Sequence, residues 1–389
     1  MLKKNIFILL LSLILFSCNV SNRNEAEEII SKFQEDKVPD RRETIFDISA
    51  IFENGQVVIK GETDNPVLKN QLLEELKSLK VSDKISLLPD STAENKPFGL
   101  ITISVANLRS RPTHSTELAT QAILGTPVKI LKKKNGWFQI QTPDKYISWV
   151  DSGGIEAVSE EQFTKWKQSK RIIYLGDNGV VYETQNFKIP VSDVSMGNIL
   201  EETNRNYRAI TVSLPDGRTG FTQKKDWLDF EQFKNSVKPD TTRLIEMATQ
   251  LIGRPYLWGG TSARAMDCSG FIKTLYFMNG LILARDASLQ TKYGNLVDTK
   301  TNFNQLQAGD LLFFGKKGNS ELSEKVTHVA LSFGDTEYIH AAGKVKRNSF
   351  NTESEIFSES RLNSFVRARR IIGVSKQNGI QQIKNHPWY

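Results

Sequence analysis

The sequence predicts a multidomain α+β protein, and three observations carry that expectation. The 389 residues are 39% hydrophobic and 24% charged, which leaves room for two to four separate cores. From about residue 98 to residue 232 the chain is a series of short strand-like stretches broken by turn pairs. The last third alternates helical and strand periodicity around one cysteine and two histidines.

The N-terminus reads "MLKKNIFILLLSLILFSCN". Two lysines precede an apolar run from Ile6 to Phe16 that is too short to span a bilayer comfortably. This is the pattern of a secretory signal. A small residue before a cysteine at the end of that run resembles a bacterial lipobox, which implies cleavage before Cys18 and lipid on its thiol. Residues 1–17 are therefore read as the signal peptide and 18–24 as a tether. The mature chain is expected to be anchored to a membrane by lipid, with the periplasm as its default location. Loss of Lys3 and Lys4 takes the formal charge from +7 to +5. No basic block or aromatic ladder points to nucleic acid, and a mildly basic chain suits an anionic envelope polymer better.

Residues 25–92 read as a small α+β unit. A short helical stretch, "EAEEIISKF", comes first. Two β-rich runs flank Asn54-Gly55, a strong hairpin signal. Asn65 is placed to cap a helix with Pro66 at its first position, and Leu68, Leu72, Leu73, Leu76 and Leu79 form its apolar stripe. "KISLLPD" returns as a strand, giving a ββαβ order. The leucine stripe is core, and no chemistry is legible here.

Residues 98–155 have the landmarks of a small barrel. Asn107-Leu108-Arg109 opens it, Leu124-Gly125-Thr126-Pro127 turns into a strand, Asn135-Gly136-Trp137 makes a hairpin, and Trp149-Val150 closes it. This order resembles the bacterial SH3-type barrels. A second, weaker copy spans 165–232, with Asp216-Gly217 as a hairpin turn and Gly220-Phe221 near its close. Small barrels of this kind recognise ligands more often than they perform chemistry.

The final domain, expected over 240–375, carries the chemistry. Cys18 and Cys268 are the two cysteines, so acylation of the first leaves Cys268 without an intrachain partner. In an oxidising compartment a lone thiol is exposed to oxidation, and its polar neighbours Asp267 and Ser269 favour a nucleophile over a small core hydrophobe. Phe271, Ile272, Leu275 and Phe277-Met278 follow at helical spacing, with Asn279-Gly280 as a stop. Cys268 therefore opens a helix, where backbone N–H groups and the dipole favour the thiolate. The carboxylate of Asp267 would oppose that unless it caps the helix, points away or binds substrate. Of four histidines, His328 in "VTHVALSFG" and His340 in "EYIHAAG" fall on strands joined by a tight Gly334-Asp335 turn. Neighbouring antiparallel strands would bring them together, with His328 as general base and His340 orienting its ring. Zinc held by the cysteine and both histidines is the competing reading, and it lacks a closely spaced ligand pair. No metal and no cofactor is expected.

"GRPYLWGGTSARAMDCSGF", "LQAGDLLFF", "THVALSFG" and "YIHAAG", in that order, resemble the NlpC/P60 cysteine peptidases over roughly residues 240–372. With two SH3-type barrels ahead of them, the chain is similar to γ-D-glutamyl-L-diamino acid endopeptidases of peptidoglycan stem peptides. The resemblance implies a papain-like fold, with a cysteine-bearing helix on an antiparallel sheet that carries the histidines. It implies Cys268, His328 and His340 as the catalytic residues. It also implies Tyr256, Asp267, Ser269 and Ser288 as substrate-binding residues of the cleft. In multi-barrel members the first barrel closes one end of the cleft and supplies an acid and a tyrosine that read the free amine of L-Ala. Glu117 and Tyr146 stand at those positions, Asp267 is expected to share the ammonium, and Trp258 is expected to be packing. The partners implied are peptides of the type L-Ala-γ-D-Glu-diamino acid, salvaged from wall fragments. The alternatives are an amidase of different bond specificity and a non-catalytic wall-binding lipoprotein.

Overall fold

The structure, a computed structural model, describes residues 22–38, 40–318, 322–374 and 379–389. The expected signal peptide, Cys18 and the first residues of the expected tether lie outside them. The chain divides into two compact units, one running up to Asn95 with Leu131–Lys133, the other comprising Lys96–Ile130 and Lys134–Tyr389.

The first unit follows the predicted order with one correction. Residues 22–37 form a helix, so residues 22–24 are helical and not tether. Ala26, Ile30 and Phe33 repeat at i, i+4, i+7, and this stripe is buried. Phe46–Glu53 and Gln56–Thr63 pair antiparallel. Asn54 and Gly55 turn between them at φ 52° and 84°, as a two-residue hairpin requires. Asn65 caps the helix Pro66–Glu75, accepting from the N–H of Val67 and of Leu68. Ser82–Leu87 then adds as a parallel strand beside Gln56–Thr63. Leu68, Leu72 and Leu76 fill the core with Ile48, Ala50 and Ile59.

In the second unit, seven short strands from Phe98–Ile101 to Ile155–Val158 form the first barrel. The helix Glu160–Gln168, closed at its start by a Ser159/Gln162 capping box, leads to seven more strands, Arg171–Tyr174 to Trp227–Asp229. In the last domain the helix Cys268–Met278 lies on a six-stranded sheet. Its spatial order is Asn295–Val297, Phe365–Arg370, Gln307–Lys316, Lys325–Gly334, Glu337–Ala342, Lys344–Ser349, antiparallel throughout. Phe271, Ile272 and Leu275 pack in one core with Val329, Leu331 and Ile339 of the sheet. The domain does not stop at residue 375 as expected. Ile380–Gln382 pairs with Leu281–Leu283 directly after the cysteine helix, and Tyr389 lies 5.9 Å from the Phe230 ring and 6.0 Å from that of Phe277. Backbone pairing and aromatic contact, which a polar tail sequence does not announce, hold this segment.

The first barrel is fixed against the last domain by paired polar contacts. Gln121 N–H donates to Thr261 Oγ1 at 3.2 Å, while Thr261 donates from its own N–H to Gln121 Oε1 at 3.0 Å. A Cβ on Gly259 would lie 2.1 Å from the carbonyl oxygen of Leu118, and Gly259 has φ 79°. Only glycine permits that close approach.

Candidate active site

Asp267 is the N-cap of the cysteine helix. Its Oδ1 accepts from the Gly270 N–H at 2.7 Å, which leaves Cys268 at the first helical position. Gly270 is needed there because a Cβ would meet the Gly260 carbonyl oxygen at 2.0 Å. The Cys268 side chain is 6% exposed, and its sulfur is reached by the backbone N–H groups of Val329 and Ser269. Val329 follows His328 in the strand, so the thiol lies against the strand that carries this histidine. Burial, and then the Asp267 charge, push the thiol up to about 11, and those two N–H groups with Arg285 offset this only in part. The helix terminus favours the thiolate, and desolvation outweighs it.

The two histidines meet as predicted. His328 Nε2 and His340 Nδ1 are 2.8 Å apart. His340 Nε2 lies 2.9 Å from Asn348 Oδ1, and the Asn348 amide donates to the Ile356 carbonyl at 2.9 Å. That last bond orients the amide, so Oδ1 must accept from His340 Nε2–H. His340 Nδ1 then carries a lone pair and accepts from His328 Nε2–H, which leaves His328 Nδ1 as the free base. Burial holds His328 well below its ordinary range, helped by the charges of Arg361 and His340. Burial also brings His340 down to about 4, with Arg361 adding to it. At neutral pH the resting pair is thus a thiol and a neutral imidazole.

Tyr256 stands beside this pair. Its N–H donates to the Gly343 carbonyl at 3.0 Å, and its backbone bridges Met266 just before Asp267. Burial, and the nearby Cys268 and Asp267, raise its hydroxyl to about 12, so it stays protonated and can donate.

Arg285, which the sequence does not single out, joins Asp267 and Ser269 at the start of the cysteine helix to the first barrel. It is 1% exposed and donates to Asp267 with two nitrogens, at 2.6 and 3.2 Å, to Ser269 Oγ at 2.9 Å and to Thr120 Oγ1 of the first barrel at 2.8 Å. Asp267 also accepts from the Gly259 N–H and from the Ser269 hydroxyl, both at 3.1 Å. Both carboxylate oxygens are engaged, so the open negative charge at this end of the cleft belongs to Glu117. Glu117 is exposed, and its Oε1 accepts from Trp258 Nε1 at 2.7 Å. Trp258 is 64% exposed, so the expectation that it is packing fails: it reaches across to the barrel and holds the acid. Tyr146 has a buried ring, and its hydroxyl is within electrostatic reach of Arg285. Ser288 lies on the short helix Ala287–Gln290, two residues beyond the Arg285 and Asp286 pair. The sequence signal for Arg285 was its place at the end of the apolar run "LILA" in a chain whose Asp267 needed a partner.

The NlpC/P60 family profile matches residues 253–367, and the profile of the bacterial dipeptidyl-peptidase Sh3 domain matches residues 108–155. The chain is 29% identical over 240 residues to a gamma-D-glutamyl-L-lysine dipeptidyl-peptidase of Bacillus cereus, covering 59% of this chain and 68% of that protein. It is 25% identical over 293 residues to a protein of the same name from Bacillus subtilis, covering 70% and 92%. The crystal structure of an NlpC/P60 family protein from Bacillus cereus matches with a TM-score of 0.59 at 24% identity, covering 71% of this chain and 99% of that one. That match shows the fold, a multidomain α+β arrangement of an NlpC/P60 domain and bacterial SH3 domain.

Proposed function

We propose, for a chain that belongs to the NlpC/P60 cysteine peptidases acting on peptidoglycan peptides, hydrolysis of the bond between γ-D-Glu and a diamino acid in stem peptides with a free N-terminal L-Ala. The observation that carries this reading is the end of the cleft built from both domains. Glu117 of the barrel is held by Trp258 of the catalytic loop, and Thr120 of the barrel is held by Arg285, which carries Asp267 beside Cys268. A carboxylate half-fenced by aromatic surface suits an ammonium. A barrel seated across the cleft suits a short peptide better than a polymer that must run through. The named relatives act on the γ-D-glutamyl-L-lysine link, which supports the same bond here.

Attack begins as the Cys268 proton passes to His328 Nδ1 while sulfur bonds to the γ-carbonyl carbon. The oxyanion faces the helix N-terminus and the Tyr256 hydroxyl. His328 returns the proton to the leaving amine, and the C–N bond breaks to a thioester. Water, deprotonated by the same nitrogen, then releases L-Ala-D-Glu and restores the thiol. His340 and Asn348 keep the ring in the productive tautomer. The leader and Cys18 support a lipid-anchored protein of the cell envelope facing the periplasm, in salvage of wall peptides.

Mass spectrometry of L-Ala-γ-D-Glu-diaminopimelate incubated with soluble protein tests the bond. Release of L-Ala-D-Glu, abolished in Cys268→Ala, is expected. Release of free alanine, or an intact peptide, would refute the assignment.

A further inference from the structure

The acyl side of the cleft is read through an amine. On the other side, among the described residues, Arg361 has no anionic partner. Arg361 lies on the helix Glu359–Ser364, half-buried, with its guanidinium carbon 5.6 Å from the centre of the Phe314 ring. Phe314 is opposite His328 in the sheet, and their rings are 5.7 Å apart. Other arginines of this sheet are satisfied: Arg370 grips Asp310, Arg369 donates to the carbonyls of Thr291 and Gly294, and Arg367 pairs with Glu324. Among the described residues, no carboxylate and no hydrogen-bond acceptor meets the Arg361 guanidinium. Its charge nevertheless reaches His328, His340 and Tyr256, depressing both imidazoles. The other cation felt by His340 is Lys346, of the same sign.

A half-desolvated guanidinium beside two histidines is unfavourable unless an anion joins it. The chemistry fixes the side on which that anion arrives. His328 must hand its proton to the leaving amine, so the leaving group lies against His328, away from Glu117. We propose that Arg361 binds a carboxylate of the departing diamino acid, making the enzyme selective for acid-bearing leaving groups. This rests on the bond assignment above. The carboxylate has two sources with one chemistry, the α-carboxylate of a terminal diamino acid or the second carboxylate of diaminopimelate. Arg is suited to either, because its fork takes both oxygens.

Three peptides separate these cases: L-Ala-γ-D-Glu-L-Lys, its C-terminal amide, and L-Ala-γ-D-Glu-meso-diaminopimelate. Wild-type kcat/KM is expected to fall about 10- to 100-fold for the amide relative to an acid-bearing peptide. If lysine and diaminopimelate peptides match, the α-carboxylate is read. If diaminopimelate leads, the second carboxylate is read. Arg361→Ala should bring all three to the level of the amide, mainly through KM, with Arg361→Lys in between. A purely electrostatic effect on the histidines would instead shift the pH profile and slow all three peptides equally. That result, or unchanged discrimination in Arg361→Ala, overturns the proposal. If wild type cleaves none of the three, the bond assignment has failed. Calorimetry of the same peptides on Cys268→Ala, with and without Arg361→Ala, then decides: loss of preference for the acid-bearing peptides supports the role of Arg361, and unchanged binding refutes it.

Discussion

In the proposed reaction Asn348 sets the direction of the proton path, although it touches neither the thiol nor the base. Its amide is pinned by the Ile356 carbonyl, its oxygen fixes the proton on His340 Nε2, and His340 in turn fixes the proton on His328 Nε2. Removing it frees His340 to take the other tautomer and to compete for the same position. Asn348→Ala should lower kcat by about tenfold or more with little change in KM, since the group acts on the base and not on bound substrate. A change confined to KM would contradict the relay. The histidines also tie stability to pH. Both are depressed in the folded protein, so the unfolded chain binds more protons once pH falls below the ordinary 6.5. The stability they permit is complete above pH 6.5 and is lost as pH falls through the folded value, about 4 for His340. For His340 alone this amounts to about 3 kcal/mol. Denaturant titrations from pH 8 to 4 should show a steady decline starting near 6.5, reduced in His340→Asn. A wild-type midpoint that is flat over that range would contradict the burial of neutral imidazoles. The acid limb of kcat/KM should likewise lie well below 6.5.

At the level of elements, what was legible in the sequence is what short-range physics dictates. The Asn54-Gly55 and Asn135-Gly136 hairpins, the Asn65-Pro66 helix start and the helix opened by Cys268 each have their signal within a few residues. The meeting of His328 and His340 was legible because a tight turn forces adjacent strands together. Contacts set by tertiary distance were not. Arg285 bonds Thr120, 165 positions away, and Trp258 bonds Glu117, 141 positions away. No periodicity marks either pair, and an exposed tryptophan in a loop reads as packing until its N–H is seen to find a carboxylate. The tail is the same case, because Ile380–Gln382 becomes a strand only through its partner Leu281–Leu283. The protonation of Cys268 is not legible in the sequence for a related reason. The sequence places the thiol at a helix start but says nothing of its burial, and burial dominates.

At the scale of the molecule, the proposed reaction takes its nucleophile and base from the last domain and one wall of its cleft from the first barrel. Gly259 against Leu118, the reciprocal Gln121–Thr261 bonds and the Arg285–Thr120 bond hold that wall at a fixed distance from Cys268. In the proposed function this wall selects a free amine. The most direct test compares kcat/KM for L-Ala-γ-D-Glu-diaminopimelate and its N-acetylated twin, in wild type and in Glu117→Gln. Wild type is expected to prefer the free amine by about 10- to 100-fold, and Glu117→Gln to lose most of that preference by slowing the free-amine peptide alone. Equal cleavage of the two peptides by wild type, or a preference that survives Glu117→Gln, would contradict it.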